Sequence, residues 1–292
     1  MLIGFIGDVH GQVFHALAAV AQWQEYAGRT FDLLFQVGDM GAFPDPSQME
    51  AASLRYLATD PSQADFSRLL LMDGPQAEQL HALRRSLASP IYFIRGNHED
   101  VVWLRHLPHD ATTGTAGVDP FDLFHYVPDG TVLEMKGLRI ACLGGIETPE
   151  EGETEETAID QAAYQALLKR GAGTTDVLIT HDAPYGVSVG YHGQVQGSRL
   201  ITHLIERTQP TFHVAGHLTL IGPRVYGSTT SLILEGLVAS PLWNPQARGL
   251  EPGCLAVLDT VAAQLAPVSD PWLASFPTPF DADAWLACFA TK

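Results

Sequence analysis

The chain has 292 residues, of which 46% are hydrophobic and 17% are charged. This length and composition suit one large globular α/β domain or two small ones. The 33 acidic side chains outnumber the 16 basic ones, and the formal net charge is -17. Because such a surface repels phosphate backbones, the charge disfavours a nucleic-acid partner, although a local basic cleft could still bind one.

Along the chain, short apolar runs alternate with segments of helical period, and this alternation indicates an α/β fold. No linker or internal repeat divides the series, so we expect residues 1–268 to form one domain. In chain order, we predict strand 2–6, helix 12–27, strand 33–37, an interrupted helix over 48–88, strands 91–94 and 138–143, helix 158–169, strand 177–180, a helix from Gly197 to Pro210, and strands 211–215, 231–234, 255–258 and 264–268.

The last part of the chain, residues 269–292, reads as a Pro-rich tail that ends in a short helix. Asp281 is a typical residue to cap that helix. Trp285 and Phe289 are spaced i, i+4 and therefore share one helical face. We expect this face to dock on the main domain.

The cysteines and the N-terminus together indicate a cytoplasmic protein. Cys142, Cys254 and Cys288 are widely spaced and form no C-x-x-C pair, which suits reduced thiols better than a disulfide framework or a zinc finger. The first apolar run leads directly into Gly-Asp-Val-His, so we read it as a core strand rather than a signal peptide. No apolar run is long enough to span a bilayer, and we expect no membrane partner.

Polar residues with metal-binding side chains follow the predicted strands, mostly in turns that contain glycine. Because the carboxyl ends of strands in an α/β sheet converge on one edge, where ligands bind, we expect these side chains to meet there. The motifs are Gly-Asp-Val-His-Gly at Asp8 and His10, Gly-Asp-Met-Gly at Asp39, Arg-Gly-Asn-His-Glu at Asn97 and His98, Thr-His-Asp at His181, and Ala-Gly-His at His217.

The ligand types of this set fit a centre with two metal ions. Carboxylate, imidazole and amide oxygen ligands suit divalent manganese, iron or zinc. A carboxylate has two oxygens and can bridge two ions, and two ions about 3.5–4 Å apart can activate a nucleophile and clamp a phosphoryl group. A histidine is well suited to protonate the leaving group near neutral pH.

These motifs resemble those of the calcineurin-like metallophosphoesterase superfamily, and the resemblance covers about residues 1–220. It implies two facing mixed β-sheets sandwiched between helices. It also implies that Asp8 and His10 bind the first metal and that Asp39 bridges both. Asn97, His181 and His217 would bind the second metal. A metal-bridging hydroxide would then attack a phosphomonoester or phosphodiester, with His98 as the general acid.

The sequence departs from the superfamily pattern at one position. Thr219 occupies the place where the last motif commonly has a second histidine, which predicts a weaker or exchangeable first metal. Arg95 resembles the arginine with which the protein phosphatase branch grips substrate phosphate, and a guanidinium matches phosphate well. A structural ion pair with Glu99 or Asp100 is an equal alternative for Arg95. Glu99 itself is expected to position its loop.

Several functions stay open at this stage. We favour a small phosphorylated substrate over an RNA or nucleotide phosphodiester of the lariat-debranching type, because the chain has few basic residues. A protein phosphatase ranks lower, because its Asp-Arg-Gly element is absent. A non-hydrolytic metal-binding or scaffold relative would be expected to lose several ligands, and here only position 219 has changed.

Selectivity is expected to lie in the loops at 41–75, 107–122 and 183–197. A further loop, residues 147–157, is strongly acidic. We read it as a solvated connection. If it lies close to the metal site, its carboxylates would discourage polyanionic substrates. The sequence predicts neither the substrate nor the oligomeric state.

Overall fold

Two β-sheets face each other, and the metal-binding motifs lie at the ends of their strands. The structure is a computed structural model that describes residues 1–148, 154–189, 194–218, 224–237 and 248–289. Its strands are β1 Leu2–Ile6, β2 Leu33–Gln36, β3 Ile91–Phe93, β4 Ala116–Gly117, β5 Phe124–Tyr126, β6 Val132–Met135, β7 Leu138–Leu143, β8 Val177–Thr180, β9 Ser188–Val189, β10 Val195–Gln196, β11 Phe212–Ala215, β12 Arg224–Tyr226, β13 Thr229–Ile233, β14 Leu255–Asp259 and β15 Gln264–Pro267.

Both large sheets are mixed. The first has the order β15-β14-β1-β2-β3-β5-β4, and the second has the order β12-β13-β11-β8-β7-β6. Strands β1, β2, β3 and β5 run parallel, as do β7, β8, β11 and β13, whereas the outer strands pair antiparallel. β9 and β10 form a separate two-stranded sheet. The predicted pair of facing mixed sheets is therefore confirmed.

Helices cover the outer faces of the two sheets. The helices are α1 Val13–Ala27, α2 Ala51–Leu57, α3 Asp65–Leu70, α4 Gly74–Ser86, α5 Val101–His106, α6 Gln161–Arg170, α7 Arg199–Thr208 and α8 Ala282–Ala287. The buried residues of α1, α3 and α4 share one apolar cluster with the outer face of the first sheet. Those of α6 and α7 share another with the second sheet. Among the described residues, no helix is long and apolar enough to cross a membrane.

The core between the sheets consists of inward-facing residues from both. Ile3, Phe5 and Phe35 of the first sheet share a buried cluster with Ile179 and Val214 of the second. Burying such side chains stabilises the fold by about 1.5–3 kcal/mol each. Close packing of this kind fixes the two sheets relative to each other. The loops at their strand ends therefore keep fixed relative positions.

The predicted elements are present, with differences at their bounds. The interrupted segment 48–88 divides into α2, α3 and α4, with a 3-10 turn at Pro61–Ala64. Helix α6 begins at Gln161 rather than 158, because Asp160 caps it and Ala158 instead bridges to Ile146. The sequence analysis missed α5 and the short strands β4, β5, β6, β9, β10 and β12, whose apolar patterns are too brief to stand out.

The tail helix α8 lies against α1 and α4. Asp281 caps it by accepting a hydrogen bond from the Ala284 N–H at 2.9 Å. Leu286 is fully buried, and Trp285 and Phe289 pack against the same apolar cluster as α1. The Asp283 carboxylate also pairs with Arg68 of α3. The apolar face and this ion pair together hold the helix in place.

Candidate metal centre

The loops that follow β1 and β2 are joined by their backbones, which brings the first two motifs together. The N–H groups of Val9 and His10 both donate to the carbonyl of Asp39, at 2.9 and 2.8 Å. His10 and Asp39 have positive φ angles of 47° and 54°. Such angles are uncommon for residues other than glycine and cluster at functional sites. Here they turn both side chains toward the same point.

Two groups of potential metal ligands share Asp39. One consists of Asp8, His10 and Asp39, and the other of Asp39, His181 and His217. Within each group, the ligand atoms lie within 4.8 Å of one another. The two groups divide the residues as the superfamily resemblance implies, with one carboxylate common to both.

Asn97 lies beside the second group, through contacts made by its side chain and its backbone. Its Oδ1 is 3.0 Å from His181 Nε2, and its N–H donates to Asp39 Oδ1 at 2.8 Å. The N–H of His217 donates to Asp8 Oδ2 at 3.1 Å, which links the two groups across the sheets. All six predicted ligands therefore meet at one place.

The donor chemistry of the site fits a bound cation. The Nδ1 of His181 is 3.0 Å from the Val37 carbonyl, which can only accept, so Nδ1 carries the proton. In the neutral ring, Nε2 is then a lone-pair donor that faces the oxygens of Asn97 and Asp39, at 3.0 and 3.4 Å. Acceptor atoms converge in this way where a metal ion is held, with a second hydrogen bond fixing the imidazole tautomer.

The electrostatics of the buried carboxylates of Asp8 and Asp39 also favour a bound cation. Burial raises the pKa of Asp8 to about 7, although His181 opposes the rise. Burial also acts to raise the pKa of Asp39, but the positive charge of protonated His181 and His98 holds it well below its ordinary value. When His181 is the neutral ring that a metal ligand requires, this positive charge is lost and a cation would have to replace it. Among the described residues, no lysine or arginine pairs with either carboxylate. A buried charge without such a partner is costly, and a divalent cation would supply the missing positive charge.

Two glycines leave room for this arrangement. A Cβ at Gly96 would overlap the Oδ1 and N atoms of Asp39, and a Cβ at Gly38 would overlap the ring of His181. Only a residue without a side chain lets these backbones approach the ligands so closely. This explains why glycine recurs in the motifs.

Glu99 fastens the loop after β3 to the loop after β2. Its Oε1 accepts from the N–H of Met40 at 2.6 Å, and its Oε2 accepts from the N–H of Gly96 at 2.7 Å. The carboxyl is buried, which raises its pKa to about 8. These contacts agree with the loop-positioning role expected of Glu99.

His98 lies at the edge of the centre and is oriented by a carboxylate that the sequence analysis did not identify. Its Nδ1 donates to Glu50 Oε1 at 2.6 Å, and its ring is 5.3 Å from that of His10. Burial lowers the pKa of His98, but the carboxylates of Asp39 and Glu50 outweigh that effect and raise it to about 10. Glu50 caps α2 inside the predicted selectivity loop 41–75, where no motif marks it.

The structure gives Arg95 a different environment from a phosphate-binding one, and the substrate-binding prediction has no geometric support. Its side chain is 0% exposed, and its Nε donates to Asp129 Oδ2 at 2.7 Å. Its terminal nitrogens donate to the carbonyls of Glu156, Thr157 and Ala158. The ion pair is formed with Asp129, rather than with Glu99 or Asp100. In this position Arg95 anchors the segment before α6.

We expect Arg95→Ala to destabilise the protein by about 3–5 kcal/mol, because it leaves the Asp129 carboxylate, whose side chain is only 10% exposed, without its ion-pair partner. Urea unfolding monitored by circular dichroism measures the change. Arg139→Ala is the matched control, because its partner Asp176 and Arg139 itself are 29% and 38% exposed, so the loss should be about 0–1 kcal/mol. Equal stability of the two variants, with a raised KM only for Arg95→Ala, would contradict this structural role and support binding of substrate phosphate by Arg95.

The weaker-first-metal prediction concerns Thr219, which lies outside the described residues. It stays a prediction.

The comparisons with known proteins concern the fold and the family of the chain. The chain is similar in fold to TT1561 of Thermus thermophilus, with 17% identity over 92% of this chain and 98% of that one, and a TM-score of 0.51. An archaeal phosphodiesterase is 10% identical over 92% of this chain and 99% of its own, with a TM-score of 0.39. No curated protein matches. Residues 1–219 match the model of the calcineurin-like phosphoesterases, and because this match spans well over half of the chain, the protein belongs to that family.

Proposed function

We propose that the protein hydrolyses a small phosphomonoester or phosphodiester at a centre that holds two divalent metal ions. The observation that carries this proposal is the position of Asp39, whose carboxylate belongs to both groups of potential ligands. One carboxylate shared by two three-residue groups is the arrangement that a dinuclear site requires. Manganese, iron and zinc are the ions that this mixture of oxygen and nitrogen ligands suits best.

The residues of the chain have separate tasks in this proposal. Asp8 and His10 would hold one ion, and Asn97, His181 and His217 the other, with Asp39 between them. When bound, a pair of divalent ions supplies a water of lowered pKa and neutralises the charge of the phosphoryl oxygens. Glu99 keeps the loops of Asp39 and Asn97 together through its two backbone contacts.

His98 would protonate the leaving oxygen. The hydrogen bond from its Nδ1 to Glu50 fixes the plane of the ring, and no described residue forms a hydrogen bond with its Nε2. The Glu50 carboxylate also favours the protonated imidazolium, the form that a general acid needs. Glu50 is therefore a positioning residue in this proposal.

The net charge of -17 supports a small substrate over a polynucleotide. A non-hydrolytic scaffold has less support, because such a protein has no need to keep a general acid oriented by its own carboxylate.

Reconstitution of metal-stripped protein tests the proposed function. We expect hydrolysis of p-nitrophenyl phosphate or bis-p-nitrophenyl phosphate to be absent without metal and to return with manganese, iron or zinc. The preferred compound distinguishes a monoesterase from a diesterase. No hydrolysis of either compound with any of these ions, in protein shown to bind them, would contradict the proposal.

A further inference from the structure

A small cavity of about 190 Å³ adjoins the proposed reaction centre. It is bordered by Asn97, a proposed metal ligand, and by Glu50, the partner of His98. Pockets that enclose drug-sized ligands have volumes of about 300–1,000 Å³. This cavity therefore suits a small alcohol rather than a nucleoside.

The position of the cavity relates it to the leaving group. A general acid must come within hydrogen-bond reach of the oxygen that departs, so the leaving group lies on the side of the centre where His98 is found. Asn97 and Glu50 both border the cavity. Asn97 directly precedes His98 in the sequence, and Glu50 forms a hydrogen bond with the His98 ring. His98 itself does not line the cavity, so the cavity would hold the part of the leaving alcohol that extends beyond the oxygen protonated by His98.

The charged residues around the cavity are acidic. Glu50, Glu99, Asp100 and Glu156 line it, and none of the described residues in its lining is basic. Asp100 Oδ1 caps α5 by accepting from the N–H of Trp103 at 2.9 Å. Among the described residues, no lysine, arginine or histidine forms an ion pair with Asp100 or Glu156. Their negative charge is therefore available to a ligand.

The rest of the lining combines the apolar residues Phe43, Val101 and Val102 with the polar residues Gln48, Thr154 and Thr157. Phe43 and Val101 are buried, whereas the side chain of Val102 is 48% exposed. An exposed apolar group inside a cleft can cover the methylene groups of a short alkyl chain. The cavity thus combines an apolar surface with negative charge, and these two features match a short alkyl chain that ends in a cation.

We propose that this cavity binds the leaving group and selects phosphoesters of small amino alcohols, whose ammonium group would lie near Asp100 and Glu156. This inference rests on the proposed phosphoesterase function and adds a substrate class to it. An anionic leaving group would be rejected, because like charges in close contact across a binding surface are unfavourable.

Three esters of similar size test the proposal: aminoethyl, n-propyl and carboxymethyl phosphate, used as monoesters or methyl diesters according to the preference found with the nitrophenyl compounds. With reconstituted enzyme, we expect kcat/KM for the aminoethyl ester to exceed that for the carboxymethyl ester by at least about tenfold, with the propyl ester between them. Asp100→Asn and Glu156→Gln should each reduce this ratio by about three- to fivefold, the effect of one partly exposed ion pair.

The substitutions are chosen so that a loss of charge is separated from a loss of structure. Asparagine caps helices as well as aspartate does, so α5 should stay intact in Asp100→Asn. Glu134→Gln removes one negative charge from the exposed edge strand β6, outside the cavity, and should leave the ratio unchanged. Ligand-observed NMR on metal-stripped protein adds a readout without turnover, in which ethanolamine should bind more tightly than propanol.

The outcomes separate this inference from the function on which it rests. Normal metal-dependent hydrolysis of a nitrophenyl ester, together with equal kcat/KM for the three alkyl esters, would overturn the inference alone. An aminoethyl preference that Asp100→Asn and Glu156→Gln leave intact would also overturn it. Absence of hydrolysis of every ester would instead overturn the phosphoesterase proposal itself.

Discussion

Asp39→Asn is expected to lower kcat by about a thousandfold or more. Loss of one preorganised electrostatic contact costs an enzyme about 10²–10³ in kcat, and Asp39 belongs to both groups of potential ligands. The neutral amide cannot place a charged oxygen on each of two cations. Its Oδ1 can still accept from the N–H groups of Asn97 and His98, as the carboxylate does at 2.8 and 2.9 Å. The fold should therefore survive.

Steady-state kinetics of the reconstituted variant measure this effect, with bound metal determined on the same sample. Asp281→Asn is the matched control, because Asp281 caps α8 away from the centre and asparagine is an equally good cap. We expect Asp281→Asn to keep normal activity, and Asp39→Asn to bind fewer ions. A folded Asp39→Asn protein that retained wild-type kcat would refute the bridging role.

His98→Ala is expected to reduce kcat by about 10²–10⁴-fold for alkyl esters, the usual contribution of a general acid. The loss should be much smaller for p-nitrophenyl esters, because nitrophenolate is stable enough to leave without a proton. The ratio of the two losses is measured with propyl and p-nitrophenyl phosphate under the same metal conditions. Equal losses for both esters would mean that His98 does not protonate the leaving group.

Glu50→Gln tests whether the carboxylate acts through His98. Glutamine can still accept from Nδ1, so the ring orientation is largely kept, but the negative charge that raises the pKa of His98 is lost. Activity that depends on protonated His98 falls as pH rises through the pKa of His98, so this fall should begin at lower pH in the variant. An unchanged pH profile, with activity lowered uniformly, would indicate that Glu50 only supports the structure of α2.

The metal centre could be predicted from the sequence because its ligands follow strands. Asp8 follows β1, Asp39 follows β2, and His181 follows β8, and each strand is an apolar run that the sequence displays clearly. The position of such a residue is set by the sheet, since parallel strands bring their carboxyl ends to one edge. The conformation of the intervening chain adds little to that placement.

Glu50 and Arg95 show where such reasoning fails. Glu50 reaches His98 from the cap of α2, 48 residues away in sequence, and a lone glutamate in a polar loop has no pattern that distinguishes it. Arg95 lies within a motif, but its contacts are to Asp129 and to carbonyls of residues 156–158. The folding of those distant loops decides whether a guanidinium faces solvent or the interior.

The substrate cavity was beyond sequence prediction for the same reason. Its lining comes from the loop before α2, the start of α5 and the segment before α6. The acidity of residues 147–157 was visible, but its relation to the reaction centre depends on Arg95, which binds the carbonyls of Glu156 and Thr157 in that segment and of Ala158 directly after it. One buried side chain thus links the acidic segment to the motif loop that also carries Asn97 and His98.

The most direct test of the dinuclear centre is a titration of metal-stripped protein with manganese, in which bound ions and hydrolysis of the preferred nitrophenyl ester are measured on the same samples. We expect activity to appear as the second ion binds and to saturate at two ions per chain. The second ion should bind more weakly than the first if position 219 weakens one site. Full activity with one ion per chain, or hydrolysis by protein without metal, would contradict the dinuclear mechanism.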